Sequence, residues 1–352
     1  MYRLQTLHNM YSFVSRLAVC AVLWMASIAV FGAPRADHVF IISIDGGKPA
    51  VIAQSDMPVL KQLAGEGACT WAANTIFPSL TLPSHTSMLT GVSPDKHHVL
   101  WNSWKPRKGV VGVPTVFAEA KNAGFSTAMF VGKEKFRHLV QPGTVDEFEF
   151  SLVQSKKSPT VVSRIVANGA ARSILEHKPN LCFIHFTDPD DTGHKYGWGS
   201  PEQVKAFSEV DAALAEILKA IEIAGIRDQS VLIITADHGG HGKTHGRNTP
   251  EDMHIPWIAW GKNVKSGFTI AGPVNTCDTA ATALWLLGVP VPESFDGKPV
   301  ISAFTPQADQ SAPQARGTKD EIGLGFQSSP KRQVAFGVAE HAIRKGTSVA
   351  RL

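Results

Sequence analysis

Three short apolar runs recur along the chain, and each stops at or just before an acid. Residues 38–45 (HVFIISID) end in Asp45, followed by Gly46 and Gly47. Residues 181–186 (LCFIHF) lead into DPDDTGH, and residues 231–236 (VLIITA) lead into Asp237-His238-Gly239-Gly240. Apolar, β-branched runs of this length predict strands buried on both faces. A fourth strand is predicted at 255–260 (IPWIAW). Between the runs the apolar spacing turns helical, near residues 114–123, 160–177 and 202–224, and again at 278–287, where Gly288 stops it. The longest of these follows Ser200-Pro201, a good helix entry. Strands alternating with helices predict an α/β fold, a three-layer α/β/α sandwich around a mostly parallel sheet. Ligands of such sheets bind beyond the carboxyl ends of the strands. The acids and histidines are predicted in those strand-end loops, and no internal repeat is visible.

The ends of the chain read differently. Leu17 to Gly32 is an uncharged apolar run preceded by Arg3 and Arg16. Its length suits a signal peptide cleaved after Gly32 and export to the periplasm or medium; an uncleaved N-terminal anchor is the alternative, and only then would the protein touch a membrane. Cys20 sits in a poor lipoprotein context, because Val19 is bulky and most of the apolar run lies after the cysteine. After about residue 304, Gln, Ser, Ala, Pro and Gly dominate, which predicts a loosely ordered extension over 305–352 with a short helix at 333–344. That leaves residues 33–304 as one domain.

Composition adds two exclusions. With 43% hydrophobic and 18% charged residues, a wholly disordered chain is ruled out. The net charge of +4 comes from the ends: two arginines and no acid in 1–32, and seven Lys/Arg against four Asp/Glu in 305–352, so the body carries −1. A body so near neutral does not support a nucleic-acid-binding surface. Without residues 1–32, Cys69, Cys182 and Cys277 remain, too few for a disulfide scaffold. The oligomeric state is open.

Six of the fourteen histidines fall between His185 and His254. Asp190 and His194 stand four apart, and Asp237 and His238 are adjacent at a strand end. His241, His245 and His254 follow. Carboxylate with imidazole suits zinc or another divalent transition ion. Any one of these pairs alone is weak; with Asp45 at a third strand end they predict a metal centre. A second segment, Thr81-Leu82-Pro83-Ser84-His85 through Gly91, predicts a short helix bracketed by Pro83 and Gly91. Thr81 would stand at its N-terminus, either as a simple cap or as a hydroxyl where helix N–H groups favour an anion.

In combination these motifs resemble the alkaline phosphatase superfamily, in its nucleotide pyrophosphatase/phosphodiesterase (type I phosphodiesterase) branch, over about residues 38–304. Ile44-Asp45-Gly46 resembles the first metal motif, and Thr81-Leu82-Pro83-Ser84-His85 with Leu89-Thr90-Gly91 and Pro94 the nucleophile motif. Asp188-Pro189-Asp190 with Gly193-His194 resembles the second metal motif, Asp188 standing where the branch usually has Glu. Asp237-His238-Gly239 resembles the third, and Asp296-Gly297-Lys298-Pro299 the closing stretch. The resemblance implies an alkaline-phosphatase-like sandwich with two divalent metals, zinc the first choice. One would be held by Asp45, Thr81, Asp237 and His238. The other would be held by Asp190, His194 and His245, with His254 the rival to His245. It implies Thr81 as nucleophile through a phospho-threonine intermediate, and Asn102, 21 residues on, as a binder of a phosphate oxygen.

The expected substrate is a small phosphodiester or nucleotide, cleaved at a phosphodiester or pyrophosphate bond. Monoesters carry one more charge and call for extra cations. No Arg is obvious near Thr81, although Lys105, Arg107 and Lys108 could reach. Phosphate monoester hydrolysis is therefore the alternative. A sulfatase would need Cys or Ser at Thr81 and an Arg at His85. A non-catalytic metal-binding module would be favoured by a missing ligand, and every candidate position is filled. Trp101, Trp104, Phe130 and Trp198 are candidate stacking faces for a flat leaving group, with simple packing as the other reading.

Overall fold

Each of the four predicted strands forms, and four more join them. The computed structural model describes residues 35–151 and 162–306. The predicted signal segment, Cys20, nearly all of 305–352 and the start of the run 160–177 lie outside the described residues. In chain order the larger elements begin with β1 (His38–Ile44), α1 (Pro49–Gln54), α2 (Pro58–Glu66), β2 (Ala68–Asn74), α3 (Thr81–Thr90), α4 (Pro94–His97), α5 (Val116–Asn122) and β3 (Thr127–Val131). They continue with β4 (Glu147–Phe150), α6 (Val162–Glu176), β5 (Leu181–Phe186), α7 (Asp188–Tyr196), α8 (Pro201–Ile223), β6 (Ser230–Ala236), α9 (Pro250–Met253), β7 (His254–Gly261), β8 (Phe268–Thr269) and α10 (Asp278–Leu286).

The eight strands form one sheet in the order β4-β3-β5-β1-β6-β7-β2-β8. β7 runs antiparallel to β6 and β2, and the other pairings are parallel. All seven residues of β1 are buried. Val39 and Ile41 point into a core with Leu82 and Met88 of α3, Phe117 of α5 and Leu284 of α10. Phe40, Ile42 and Ile44 point into a second core with Ile52 of α1, Leu63 of α2, Ile174 of α6 and Leu214 of α8. Helices therefore cover both faces, as the alternating pattern predicts. Each large apolar side chain so buried contributes roughly 1.5–3 kcal/mol. Of the strands the pattern missed, β4 is the half-buried edge EFEF, β2 is ACTWAAN with an exposed middle and β8 is two residues long, whereas β3 is a short, fully buried run. Cys182 and Cys277 are buried thiols and Cys69 is half-buried. Among the described residues no helix is long and apolar enough to cross a membrane.

Register decides where the strands end. Ile44 of β1 pairs with Phe186 of β5 and with Ala236 of β6, so the three central strands stop level. Trp198, just past α7, wedges the loops that follow them. A methyl group on Gly46, Gly193 or Gly240 would come within 3.2, 2.9 or 2.2 Å of its indole. The indole N–H donates to the Gly46 carbonyl at 3.3 Å, and the Trp198 backbone N–H donates to that of Gly242 at 2.7 Å. One side chain thus sets the spacing of three motif segments, and each gives it a glycine to lie on.

His97 joins α3 to the segment beyond α4. Its Nδ1 accepts from the Val99 N–H at 3.0 Å, so its Nε2–H donates to Ser87 Oγ at 2.9 Å. A second proton would face the Val99 N–H. Burial, with neighbouring His98, pushes the imidazole down to about 4. The folded value lies below the unfolded one, so this contribution is complete above about pH 6.5 and is lost as pH falls toward 4.

Two outcomes follow from this packing. Gly240→Ala should destabilise the fold by about 1–3 kcal/mol, the usual cost of forcing a methyl into filled space, and by less when Trp198→Leu is also present. Urea denaturation of both single variants and the double one measures this; additive losses would show that the indole does not fill the space. Between pH 7.5 and 4.5 the wild type should lose on the order of 2 kcal/mol more unfolding free energy than His97→Gln, and parallel losses would contradict the His97 assignment.

Candidate active site

The level strand ends bring the acids together. Asp45 follows β1, and its N–H donates to the Phe186 carbonyl at the end of β5, 2.9 Å away. Asp237 follows β6, and its Oδ1 accepts the Gly46 N–H at 3.1 Å and the His238 N–H at 3.0 Å. Asp190 and His194, expected in a strand-end loop, lie instead on the helix α7. Its geometry puts Asp190 and His194 on one face, one turn apart, with His194 Nε2 3.4 Å from Asp190 Oδ1. Asp188 turns away and accepts the N–H groups of Val162 and Ser163 at the start of α6, at 3.0 and 2.8 Å.

Two groups of potential ligand atoms result: Asp45, Asp237 and His238, all buried, and Asp190, His194 and His245. His238 Nε2 lies 3.3 Å from Asp45 Oδ1, 3.2 Å from Asp237 Oδ2 and 3.9 Å from Asp190 Oδ1, so the groups adjoin. His245 Nε2 lies 3.6 Å from Asp190 Oδ1, and its ring stacks on that of His238 with centroids 3.6 Å apart. His254 does not join them; it is exposed at the start of β7.

The site residues share one donor pattern. His194, His238 and His245 each donate Nδ1–H to a backbone carbonyl, of Lys243, Gly239 and Ser79, at 3.0, 2.9 and 2.8 Å. Each thereby turns Nε2 toward the acids, the usual way that a ligand histidine is oriented. The carboxylates are divided likewise. Asp45 Oδ2 faces His185 Nε2 at 3.0 Å and Lys133 Nζ at 2.6 Å, and Asp190 Oδ2 faces the same Nζ at 2.5 Å. The other oxygens, Asp45 Oδ1, Asp190 Oδ1 and Asp237 Oδ2, are buried with no hydrogen-bond partner. Buried, unpartnered carboxylate oxygens are costly without a cation, and oxygen with imidazole nitrogen fits a divalent transition ion.

The electrostatics express the same demand for positive charge. Burial works against ionisation of Asp45, but Lys133, His185 and His238 hold it well below the usual carboxylate range. Burial and the Asp45 charge push Asp237 well above that range. Burial opposes protonation of His238, yet Asp237 and Asp45 carry it up to about 9. Burial and His238 push His245 down to about 4.

Thr81 is the first residue of α3 and is not its cap. Leu80 occupies the cap position in extended backbone, and no side chain caps the helix. Thr81 is 1% exposed, and its hydroxyl lies 3.4 Å from His238 Nε2. His85 braces the turn from behind, donating Nδ1–H to the Thr81 carbonyl at 2.8 Å and accepting from Ser43 Oγ at 2.8 Å. Asn102 reaches the same helix start: its Oδ1 accepts the Leu82 N–H at 2.9 Å, which leaves its amide N–H₂ for another partner.

The cations at the site are not those expected. Lys105, Arg107 and Lys108 are exposed, and Lys108 lies over the Trp101 ring instead. Lys133 and Lys135, at the end of β3, are the basic residues present; Lys135 Nζ donates to Asn102 Oδ1 at 3.0 Å. The apolar run TAMFV followed by Gly132 is a strand-end signal of the same kind as the others, and reading it would have found both lysines. His185, inside a predicted strand, gave no such signal. The stacking candidates are committed to packing: Phe130 is a core residue, Trp198 is the wedge, and Trp101 and Trp104 pack on His138.

The model of the family described as type I phosphodiesterase / nucleotide pyrophosphatase matches residues 39–245. Ectonucleotide pyrophosphatase/phosphodiesterase family member 7 of Mus musculus is 25% identical over 242 residues, 64% of this chain and 55% of its own. Bis(5'-adenosyl)-triphosphatase enpp4 of Mus musculus is 23% identical over 226 residues, 58% and 47% of the two chains. The chain spans about half the length of the curated relatives it matches. Among solved structures, murine ectonucleotide pyrophosphatase/phosphodiesterase 5, an inactive variant in complex with AMP, superposes with a TM-score of 0.65 at 15% identity, covering 76% of this chain and all of that one. A putative sulfatase from Bacteroides thetaiotaomicron gives 0.61 at 17% identity, over 79% and 76%. The fold is alkaline-phosphatase-like, and the chain belongs to the type I phosphodiesterase/nucleotide pyrophosphatase family of the alkaline phosphatase superfamily.

Proposed function

We propose that the chain is a metal-dependent hydrolase of phosphodiester or pyrophosphate bonds, working through a phospho-threonine on Thr81. One observation carries this reading: three buried carboxylate oxygens without partners converge with three histidine Nε2 atoms beside the Thr81 hydroxyl. Two divalent ions fit the donor set, zinc the first choice, one among Asp45, Thr81, Asp237 and His238 and the other among Asp190, His194 and His245. Bound there, they would supply the positive charge that eases ionisation of Thr81 and offsets charge on the leaving oxygen.

Thr81 Oγ1 is held at the N-terminus of α3, where helix N–H groups favour an anion. It attacks phosphorus in line and displaces the leaving oxygen. The amide N–H₂ of Asn102, fixed through its Oδ1, donates to a non-bridging oxygen, where such donors matter most in the transition state. Water entering from the vacated side hydrolyses the phospho-threonine and restores the hydroxyl. A small phosphodiester or nucleotide is the proposed substrate, supported by the relatives named for bis(5'-adenosyl)-triphosphate and the one solved with AMP. We also propose that residues 33–304 are the catalytic domain, that 1–32 direct export to the periplasm or medium, and that 305–352 are an extension. Monoester hydrolysis is a second reading, favoured by Lys133 and Lys135, the extra cations that the sequence did not offer near Thr81.

Thr81→Ala should lower hydrolysis of bis-p-nitrophenyl phosphate by at least about 10³-fold while zinc content stays unchanged. A chelator should abolish wild-type turnover and added zinc should restore it. Near wild-type activity in the alanine variant would sink the nucleophile assignment, and chelator-resistant turnover would sink the metal dependence.

A further inference from the structure

We infer that Asp252 is a positioning residue for the second ion: with His241 it clamps the loop 239–247, which carries His245 and aims His194. The inference rests on the metal-dependent reading above and names what holds its histidines in place.

The loop needs an anchor. Gly242, Lys243, Thr244 and Arg247 are exposed, yet the loop serves three ligands. His245 lies on it. The Lys243 carbonyl accepts the His194 Nδ1–H at 3.0 Å, and the Gly239 carbonyl accepts the His238 Nδ1–H at 2.9 Å. Surface loops are ordinarily mobile, whereas ligands must be held to within about 0.5 Å.

Asp252, on α9, is fully buried. Its Oδ1 accepts the His241 Nδ1–H at 2.7 Å, and its Oδ2 accepts the Arg247 N–H at 2.8 Å. One carboxylate thus takes donors from both sides of His245. His241 passes the hold along the chain, because its backbone N–H and C=O pair with those of Thr244, each at 2.9 Å, directly before His245. The grip of Oδ2 falls two residues after His245. His241 belongs to neither group of potential ligands. Its Nε2 is buried without a partner, so its side chain makes one hydrogen bond, the one to Asp252. That gives a purpose to a motif histidine that faces no ion position.

The two ions depend on this clamp unequally. Gly239, which orients His238, is held through its N–H by the Asp252 backbone carbonyl at 2.9 Å, a bond that any residue at 252 supplies. Asp45 and Asp237 stand at the ends of β1 and β6, away from the loop. The carboxylate therefore acts on the ion among Asp190, His194 and His245. The ion among Asp45, Thr81, Asp237 and His238 is spared.

The test titrates zinc into the metal-free full chain and follows binding by calorimetry, with Asp252→Asn and His241→Leu beside the wild type. Asparagine keeps the shape of Asp252 and replaces one acceptor with a donor; leucine removes the bond from His241. The wild type should bind two ions. Each variant should bind one as tightly as the wild type and the other about 10- to 100-fold more weakly, the usual cost of losing a partner that orients a ligand. His241→Asn, which keeps a donor close to the position of Nδ1, should recover most of the loss. Asn248→Ala, exposed on the same stretch, should change neither affinity. Turnover of bis-p-nitrophenyl phosphate by both variants should rise toward the wild-type rate in excess zinc. If Asp252→Asn does not fold, His241→Leu decides. Two unchanged affinities, or equal weakening of both, overturn the inference and leave the hydrolase reading standing. A wild type that binds two zinc ions and turns over no phosphodiester removes the hydrolase reading, while the titration still decides the role of Asp252. A wild type that binds no zinc overturns both.

Discussion

The structure depends on the convergence of three buried carboxylates, Asp45, Asp190 and Asp237, none more than 2% exposed. Like charges so placed repel one another and have lost their water, a costly arrangement unless cations answer them. Each is answered on one oxygen only: Asp45 and Asp190 by Lys133, and Asp237 by backbone N–H groups of the two motif loops. The remaining oxygens point to one place with three imidazole nitrogens around it. The orientation of His194, His238 and His245 through their Nδ1–H bonds follows from the same demand. Stability is given up locally to hold a site in readiness.

The rest of the fold meets that demand at the carboxyl edge of the sheet. Level registers of β1, β5 and β6 bring Asp45 and Asp237 side by side, and α7 delivers Asp190 and His194 from one face. Trp198 spaces the loops by lying on Gly46, Gly193 and Gly240. The glycines of these motifs thus have a packing reason as well as a turn-forming one. The nucleophile candidate arrives on a fourth element, α3, whose first turn is braced by His85 and Asn102.

Much of this was legible in the sequence, and the part that was not has physical causes. The central strands were clear because a strand buried on both faces is an unbroken apolar run. β4, an edge strand, carries acids on half its positions and gave no such signal. Asp45, Asp190, His194, Asp237 and His238 were legible as acids and histidines at strand ends, and the structure brings all five together with Thr81 and His245. Lys133 and Lys135 were missed with their short strand, and a charged residue after an unrecognised strand looks like any solvated one. His185 was missed because nothing local marks a core histidine as the partner of an acid 140 positions away. Asp190 and His194, expected in a strand-end loop, sit on a helix whose first turn holds Asp188, Asp190 and Asp191, where acids favour a helix N-terminus.

The central claim is that these residues hold two ions around one hydroxyl. Anomalous diffraction at the zinc edge, from crystals grown with zinc, tests it most directly. The account predicts two peaks about 4 Å apart, one against Asp45 Oδ1, Asp237 Oδ2, His238 Nε2 and Thr81 Oγ1, and one against Asp190 Oδ1, His194 Nε2 and His245 Nε2. A single peak, or peaks that leave Thr81 or His245 without an ion, would contradict it.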